Sequence, residues 1–148
     1  MEKIIFVDKP AGMSSFGAVA RVRRILSEQE GHKVKVGHTG TLDPFATGLL
    51  ILLAGKATKK APELTKLDKV YEAVIRLGAT SSTGDPEGEI TITDEKPVFS
   101  LTRIEAVLAR FVGKIKQIIT YTGLRNDHTH QSKHRDGRSR IVIHLGKW

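Results

Sequence analysis

The octet Gly37–Pro44 carries the clearest chemical potential in this chain, because it places one carboxylate, Asp43, on a loop that precedes an apolar run. Gly37 and Gly40 allow positive φ and a close approach of the backbone to a ligand. Pro44 disfavours a helical conformation at Asp43. A short acid on a stiff loop suits a nucleophile or a general base. From residue types alone, an ordinary Asp-Pro turn is the favoured interpretation.

Apolar periodicity and turn residues predict the elements that must position this loop. The first helix begins at Ser14 or Ser15, and its apolar stripe is Phe16, Val19, Val22 and Leu26. A second alternation puts Tyr71, Ala73, Ile75 and Leu77 on one face of a strand. The predicted elements are strand Lys3–Val7, a helix to about Glu28, buried strand Gly48–Ala54, helix Lys56–Leu64 and strand Lys69–Gly78.

The second half of the chain has weaker patterns. A turn at Asp85–Gly88 precedes a strand at Ile90–Ile92, and Thr102–Glu105 fits a capping box that opens a helix ending at Gly113. Only Ile141–Ile143 resembles a strand near the end. The mixture predicts an α+β (mixed α/β) fold, with a mixed, mostly antiparallel sheet flanked by helices.

Composition narrows the class of protein. The 148 residues are 39% hydrophobic and 27% charged, which is ordinary for a globular domain. The absence of cysteine excludes disulfides, zinc–thiolate sites and cysteine nucleophiles. No apolar run is long enough for a signal-peptide core or a membrane span. We therefore expect a soluble, cytoplasmic protein with no membrane partner.

The positive charge is unevenly distributed. The chain has a net charge of +8, and residues 113–148 contain eight Lys and Arg against two Asp. A basic excess favours a polyanionic partner through phosphate contacts, although it is also common on solvated faces. The charge alone therefore leaves nucleic-acid binding open.

The octet resembles the active-site motif of the TruB-type tRNA pseudouridine synthases. Further blocks resemble that family in the same order, and they are Val7–Ser15, Ala46–Leu50 with Gly55–Lys59, and Asp68–Tyr71 leading through Arg76–Gly78 to Thr83–Asp85. The resemblance implies part of the pseudouridine synthase catalytic fold, namely its N-terminal part. It also implies isomerisation of the T-loop uridine of tRNA to pseudouridine, with the T-arm stem-loop as partner and no metal or other cofactor.

The resemblance also implies roles for individual residues. Asp43 corresponds to the catalytic aspartate, either as a nucleophile or in proton abstraction. Tyr71 corresponds to the tyrosine that stacks on the flipped base, and His38 to the histidine that contacts the RNA there. Thr39, Gly40 and Lys9 complete the expected substrate-binding set, with a scaffolding role favoured for Lys9.

The resemblance ends at about Ile118. We therefore expect a partial catalytic domain over residues 1–118 and a divergent, basic, flexible tail over residues 119–148. The family's late segment, whose arginine pairs with the catalytic aspartate, has no match here. An alternative function is thus a truncated, catalytically impaired RNA-binding remnant. A monomer is the favoured oligomeric state.

Overall fold

A computed structural model describes residues 1–93 and 100–112, together with the backbone of strands at 116–117, 133–134 and 139–145. The chain divides into two compact units, Met1–Leu67 and Asp68–Trp148. Both contain helices and β-strands, and most of the strand pairings are antiparallel. The predicted α+β class is confirmed.

The first unit contains a three-stranded antiparallel sheet with the order β1-β3-β2. Its elements are β1 (Glu2–Lys9), α1 (Ser15–Glu30), β2 (Val36–His38), β3 (Gly48–Gly55), a 3-10 helix (Lys56–Lys60) and α2 (Ala61–Thr65). The strands predicted at Lys3–Val7 and Gly48–Ala54 are confirmed. The helix predicted over Lys56–Leu64 is instead two short helices. Pro62 explains the division, because proline fits the first turn of a helix but not its interior.

Strand β3 lies at the centre of this sheet and explains its continuous apolar run. It pairs with β1 over eight residues, from Glu2 opposite Gly55 to Lys9 opposite Gly48. Leu52 and Leu53 are successive residues and both are fully buried. Because successive side chains point to opposite faces of a strand, both faces of the sheet are covered at this position.

Helix α1 packs across one face of the sheet and builds the core beside the loop of interest. Ala18 and Val19 pack against Leu50 and Leu52, and the half-buried Leu42 adds to this cluster. Ser14 caps the helix by accepting a hydrogen bond from the Gly17 amide, and Gly31 ends it with a φ of 70°. The predicted helix from Ser14 or Ser15 is confirmed, with Ser14 as the cap.

The predicted apolar stripe of α1 is wrong at its first member. Val19 and Leu26 are buried and Val22 is half-buried, but Phe16 is 67% exposed. Each residue turns a helix by about 100°, so Phe16 lies roughly a quarter-turn from the line through Ser15, Val19 and Leu26. The side chain therefore lies beside the buried face rather than on it.

The second unit has shorter sheets. Its elements are β4 (Lys69–Ile75), β5 (Ala79–Ser81), β6 (Ile90–Ile92), α3 (Leu101–Leu108), a 3-10 helix (Ala109–Phe111), β7 (Lys116–Gln117), β8 (Lys133–His134) and β9 (Ser139–Leu145). Strands β4 and β9 pair in parallel, whereas β5 pairs with β6, and β7 with β8, in antiparallel fashion. The strands predicted at Ile90–Ile92 and Ile141–Ile143 are confirmed, and that at Lys69–Gly78 ends at Ile75.

The capping box predicted for the late helix is wrong. Ser100 is the N-cap, with extended backbone angles and a hydroxyl that accepts a hydrogen bond from the Arg103 amide. Thr102 therefore lies inside α3, because the serine two residues earlier already supplies the cap. The predicted stop at Gly113 and the domain boundary at residue 118 lie outside the described residues, as does most of the tail.

An ion pair joins Lys60 Nζ to Glu2 Oε1 at 2.9 Å. Hydrogen bonding to Lys60, followed by its charge, lowers the pKa of the Glu2 carboxyl. We therefore expect Lys60→Met to raise the pKa of Glu2, as measured by carboxyl ¹³C NMR titration. Because folding lowers the pKa of Glu2, the contribution of this ion pair to the stability of the folded state is complete above the ordinary pKa of glutamate. It is lost as the pH falls through the depressed pKa.

The exposed neighbour Lys59 provides the matched control for this titration. Lys59→Met removes the same charge from the same short helix without touching the ion pair, so the pKa of Glu2 should stay low. An equal rise in both variants would contradict a specific role for Lys60.

Candidate active site

Residues 39–47 form the loop between β2 and β3, and Asp43 lies in its middle. The Asp43 side chain is exposed. Its backbone carbonyl accepts a hydrogen bond from the Ala46 amide at 3.0 Å, which forms a turn. Among residues 1–93 and 100–112, no hydrogen bond or ion pair is found for the Asp43 carboxylate. The loop thus presents a carboxylate that is open to an incoming group.

The residue before Asp43 is held by the Ser15 hydroxyl. Ser15 Oγ donates to the Leu42 carbonyl and accepts from the Leu42 amide, both at 2.9 Å. Ser15 is the first residue of α1 and is 3% exposed. The Leu42 side chain packs against the core cluster of α1 and β3. Both the backbone and the side chain of Leu42 are therefore fixed.

The residue after Asp43 is held by Lys9 and Gly12. Lys9 Nζ donates to the carbonyls of Met13 at 2.7 Å, Pro10 at 3.0 Å and Pro44 at 3.2 Å. The Gly12 amide donates to the same Pro44 carbonyl at 2.8 Å. Lys9 is fully buried. A buried ammonium requires such partners, and these three carbonyls match its three donors.

These contacts attach the Asp43 loop to residues 9–15 on both sides of the carboxylate. Gly12 adopts a φ of 78°, in the left-handed region that favours glycine, and its amide faces the loop. Gly48, which ends the loop, has a φ of 113°. Gly37 and Gly40 adopt no positive φ, so the structure does not use the conformational freedom of these two glycines. Positive φ angles occur instead at Gly12, whose amide donates to the loop, and at Gly48, which follows the loop.

His38 is the last residue of β2, and Thr39 and Gly40 are the first residues of the loop. His38 lies opposite Leu52 of β3, and its Nδ1 is buried without a hydrogen-bond partner in the described part of the chain. Thr39 is buried and its amide donates to the Ile51 carbonyl at 3.1 Å, while Gly40 is half-buried.

The six predicted site residues fall into both units. Lys9, His38, Thr39, Gly40 and Asp43 belong to the first unit. Tyr71 belongs to the second unit, where it is half-buried on β4 and pairs with Ile141 of β9. The structure thus brings five of the six into one compact unit.

The sequence interpretation missed Ser15 and Gly12 as contacts of the loop. It considered Ser15 only as a possible helix cap. One signal was available, because only one of the two adjacent serines can serve as the N-cap, and the other is free for a second role. The partner of that second hydroxyl, 27 residues away, was not predictable from local pattern.

Within the described ranges 1–93 and 100–112, no group of three or more His, Asp or Glu side chains is arranged to hold a metal ion. Among the same residues, no helix is both long enough and apolar enough to cross a membrane.

Comparison with known proteins decides the family. A model of the N-terminal domain of the TruB family of pseudouridylate synthases matches residues 23–124, which is more than half of the chain. The chain belongs to the TruB family. The resemblance inferred from the octet and its accompanying blocks is confirmed, and the TruB match includes the whole Asp43 loop.

Curated TruB relatives give the extent of the match. tRNA pseudouridine synthase B of Cupriavidus metallidurans is 46% identical over 125 residues, covering 84% of this chain and 38% of the relative. The protein of that name from Dechloromonas aromatica is 46% identical over 118 residues, covering 80% and 38%. That from Burkholderia lata is 40% identical over 155 aligned residues, covering 98% and 46%. The chain therefore spans less than half the length of these relatives.

Proposed function

We propose that this chain acts as a tRNA pseudouridine synthase, with Asp43 as the catalytic residue and the T-loop uridine as its target. The observation that carries the proposal is the exposed Asp43 carboxylate between two immobilised residues, Leu42 and Pro44. Membership of the TruB family, whose curated relatives are named tRNA pseudouridine synthase B, supplies the reaction class and the kind of RNA.

The proposed reaction is an isomerisation. The C1′–N1 glycosidic bond of uridine breaks, the base turns, and a C1′–C5 bond forms, so that one proton leaves C5 and one is gained at N1. Asp43 serves either as a nucleophile toward the nucleoside or as the base that removes a proton. Both roles need a carboxylate that is accessible and held in place, and the loop geometry supports each of them.

We assign roles in substrate binding to the remaining predicted residues. We assign His38 and Gly40 to the RNA beside the target, since they lie where β2 ends and the loop begins. The buried Thr39 is assigned to holding this segment through its amide contact with the Ile51 carbonyl. The Tyr71 ring is assigned to stacking on the flipped base, an interaction that tolerates any base. Base flipping costs a few kcal/mol and brings the uridine within reach of the loop.

Lys9 fits a positioning role better than direct contact with RNA. Its ammonium is fully buried and donates to three backbone carbonyls, one of which belongs to the residue after Asp43. A phosphate contact would require this group to leave those partners. We therefore propose that Lys9 acts on catalysis through the loop.

The test is product formation on a T-arm stem-loop RNA. The purified 148-residue chain is incubated with the RNA, which is digested to nucleosides and analysed by chromatography with mass spectrometry. Because pseudouridine and uridine have equal mass, retention time distinguishes them. We expect pseudouridine with the natural stem-loop and none when cytidine replaces the target uridine. No product with a folded chain would overturn the proposed activity.

One observation favours a second candidate function. Residues 113–148 contain eight Lys and Arg against two Asp, an excess that favours a polyanionic partner. An RNA-binding remnant without activity would bind the stem-loop and form no product. Its affinity should fall as salt rises, because phosphate contacts release counterions. Unchanged binding by Asp43→Asn, with no product from the unsubstituted chain, would support this alternative.

The monomeric state and the cytoplasmic location stay predictions. Gel filtration with light scattering at two protein concentrations would test the former. A mass that rises with concentration would contradict a monomer.

A further inference from the structure

We propose that Ser15 is a positioning residue for the reaction, because its hydroxyl fixes the Leu42 backbone and thereby directs the Asp43 carboxylate. This inference rests on the proposed catalytic role of Asp43. The observation behind it is that Ser15 Oγ contacts both the amide and the carbonyl of the same residue, each at 2.9 Å. A hydroxyl can do this because it offers one donor and two acceptor positions.

The two contacts constrain different peptide planes. The Leu42 amide belongs to the plane shared with Thr41, and the Leu42 carbonyl belongs to the plane shared with Asp43. Peptide planes are rigid, so holding both of them fixes the φ and ψ angles of Leu42. The position of the Asp43 Cα atom then follows directly along the chain.

The burial of Ser15 makes this constraint difficult to replace. The residue is 3% exposed at the first turn of α1, and the adjoining core residues Ala18 and Val19 are buried as well. Alanine at this position would remove the donor and the acceptor together, in a place with little access for water. The Lys9 and Gly12 contacts would still hold the Pro44 backbone, whereas Leu42 would keep only the packing of its side chain.

The chain offers a matched control in the preceding residue. Ser14 is exposed and uses its hydroxyl to cap α1 by accepting a hydrogen bond from the Gly17 amide at 3.0 Å, and among the described residues no hydrogen bond joins it to the loop. Both substitutions, Ser14→Ala and Ser15→Ala, remove one hydroxyl from the same helix terminus. A merely structural role for Ser15 predicts that the two variants lose activity only in proportion to their folded fraction.

The kinetic test compares kcat and KM for pseudouridine formation at a temperature where circular dichroism shows each variant to be folded. We expect Ser15→Ala to lower kcat about 10- to 100-fold, because a displacement of about 1 Å can cost a reaction ~100-fold. Its KM should stay within about twofold. Ser14→Ala should retain wild-type kcat within about twofold. Wild-type kcat in Ser15→Ala, or equal losses in both variants, would overturn the proposal.

An NMR measurement separates failure of this inference from failure of the proposed function. In ¹⁵N-labelled protein, we expect the Leu42 amide to exchange faster and the Asp43 amide to become more mobile in Ser15→Ala but not in Ser14→Ala. If the unsubstituted chain forms no pseudouridine, the proposed activity fails. The amide measurements still test the positioning role of Ser15 in that case, because unchanged Leu42 and Asp43 amides in Ser15→Ala would contradict it.

A second variant covers the case in which Ser15→Ala does not fold. Ser15→Cys keeps a group of similar size whose thiol is a weaker donor and acceptor. We expect an intermediate loss of kcat and an intermediate rise in Leu42 amide exchange. Wild-type values for both would contradict the role of the hydroxyl.

Discussion

Asp43→Asn is expected to lower the rate of pseudouridine formation by about 10³-fold or more. An amide oxygen is a poor nucleophile and a poor base, so the substitution removes the function of the carboxylate in either proposed role. The measurement is the single-turnover rate on the T-arm stem-loop, with product separated chromatographically. A loss of less than about tenfold would exclude Asp43 as the catalytic group.

The same substitution should leave the fold and RNA binding intact. Asn is nearly isosteric with Asp, and the exposed Asp43 side chain has no hydrogen bond or ion pair within residues 1–93 and 100–112. Surface changes of this kind alter the free energy of unfolding by about 0.5 kcal/mol or less. Glu28→Gln is the matched control, because it neutralises an exposed carboxylate on α1 and should leave the rate unchanged.

Lys9→Met is expected to lower the free energy of unfolding by about 3 kcal/mol. Hydrogen bonds to charged groups contribute roughly 1.5–3 kcal/mol each, and methionine leaves the Pro10 and Met13 carbonyls without the donor that Lys9 supplies. Pro44 retains the Gly12 amide, which limits the loss. Urea unfolding followed by circular dichroism measures the change, and a decrease below about 1 kcal/mol would contradict the scaffold role.

A lysine at the other end of the same strand provides the control. Lys3 is exposed on β1, so Lys3→Met should change the free energy of unfolding by about 0.5 kcal/mol or less. RNA binding distinguishes the two roles considered for Lys9. A phosphate contact predicts normal stability with weaker binding and a salt slope reduced by about one, whereas a positioning role predicts reduced stability and an unchanged slope.

Local chemistry made much of the first unit predictable. The extended apolar segments became β1 and β3, and the adjacent serines marked the beginning of α1. Errors arose where two local signals competed. Thr102 fitted a cap but Ser100 supplied it, and Phe16 fitted a spacing rule but lies a quarter-turn from the buried face. The alternative that forms is the one that the rest of the structure stabilises, and local patterns do not reveal this.

The candidate site, too, was predictable only in part from the sequence. The octet and its neighbouring blocks indicated the TruB family, and they are the basis for proposing Asp43 as the catalytic residue, because motif residues are adjacent in the chain. The glycines that adopt positive φ could not be identified from the octet. Gly37 and Gly40 belong to the octet, but positive φ angles occur at Gly12, whose amide donates to the Pro44 carbonyl, and at Gly48, which follows the loop.

The order of residues by itself determined that a carboxylate lies on a loop before a buried strand of an α+β protein of the TruB family. Only the tertiary structure showed what holds that loop, because the two anchors join residues 27 and 35 positions apart. Hydrogen bonds over such separations depend on how α1 packs on the sheet. Periodicity and turn propensity describe neighbours along the chain, so they carry no information about which buried hydroxyl or ammonium meets which carbonyl.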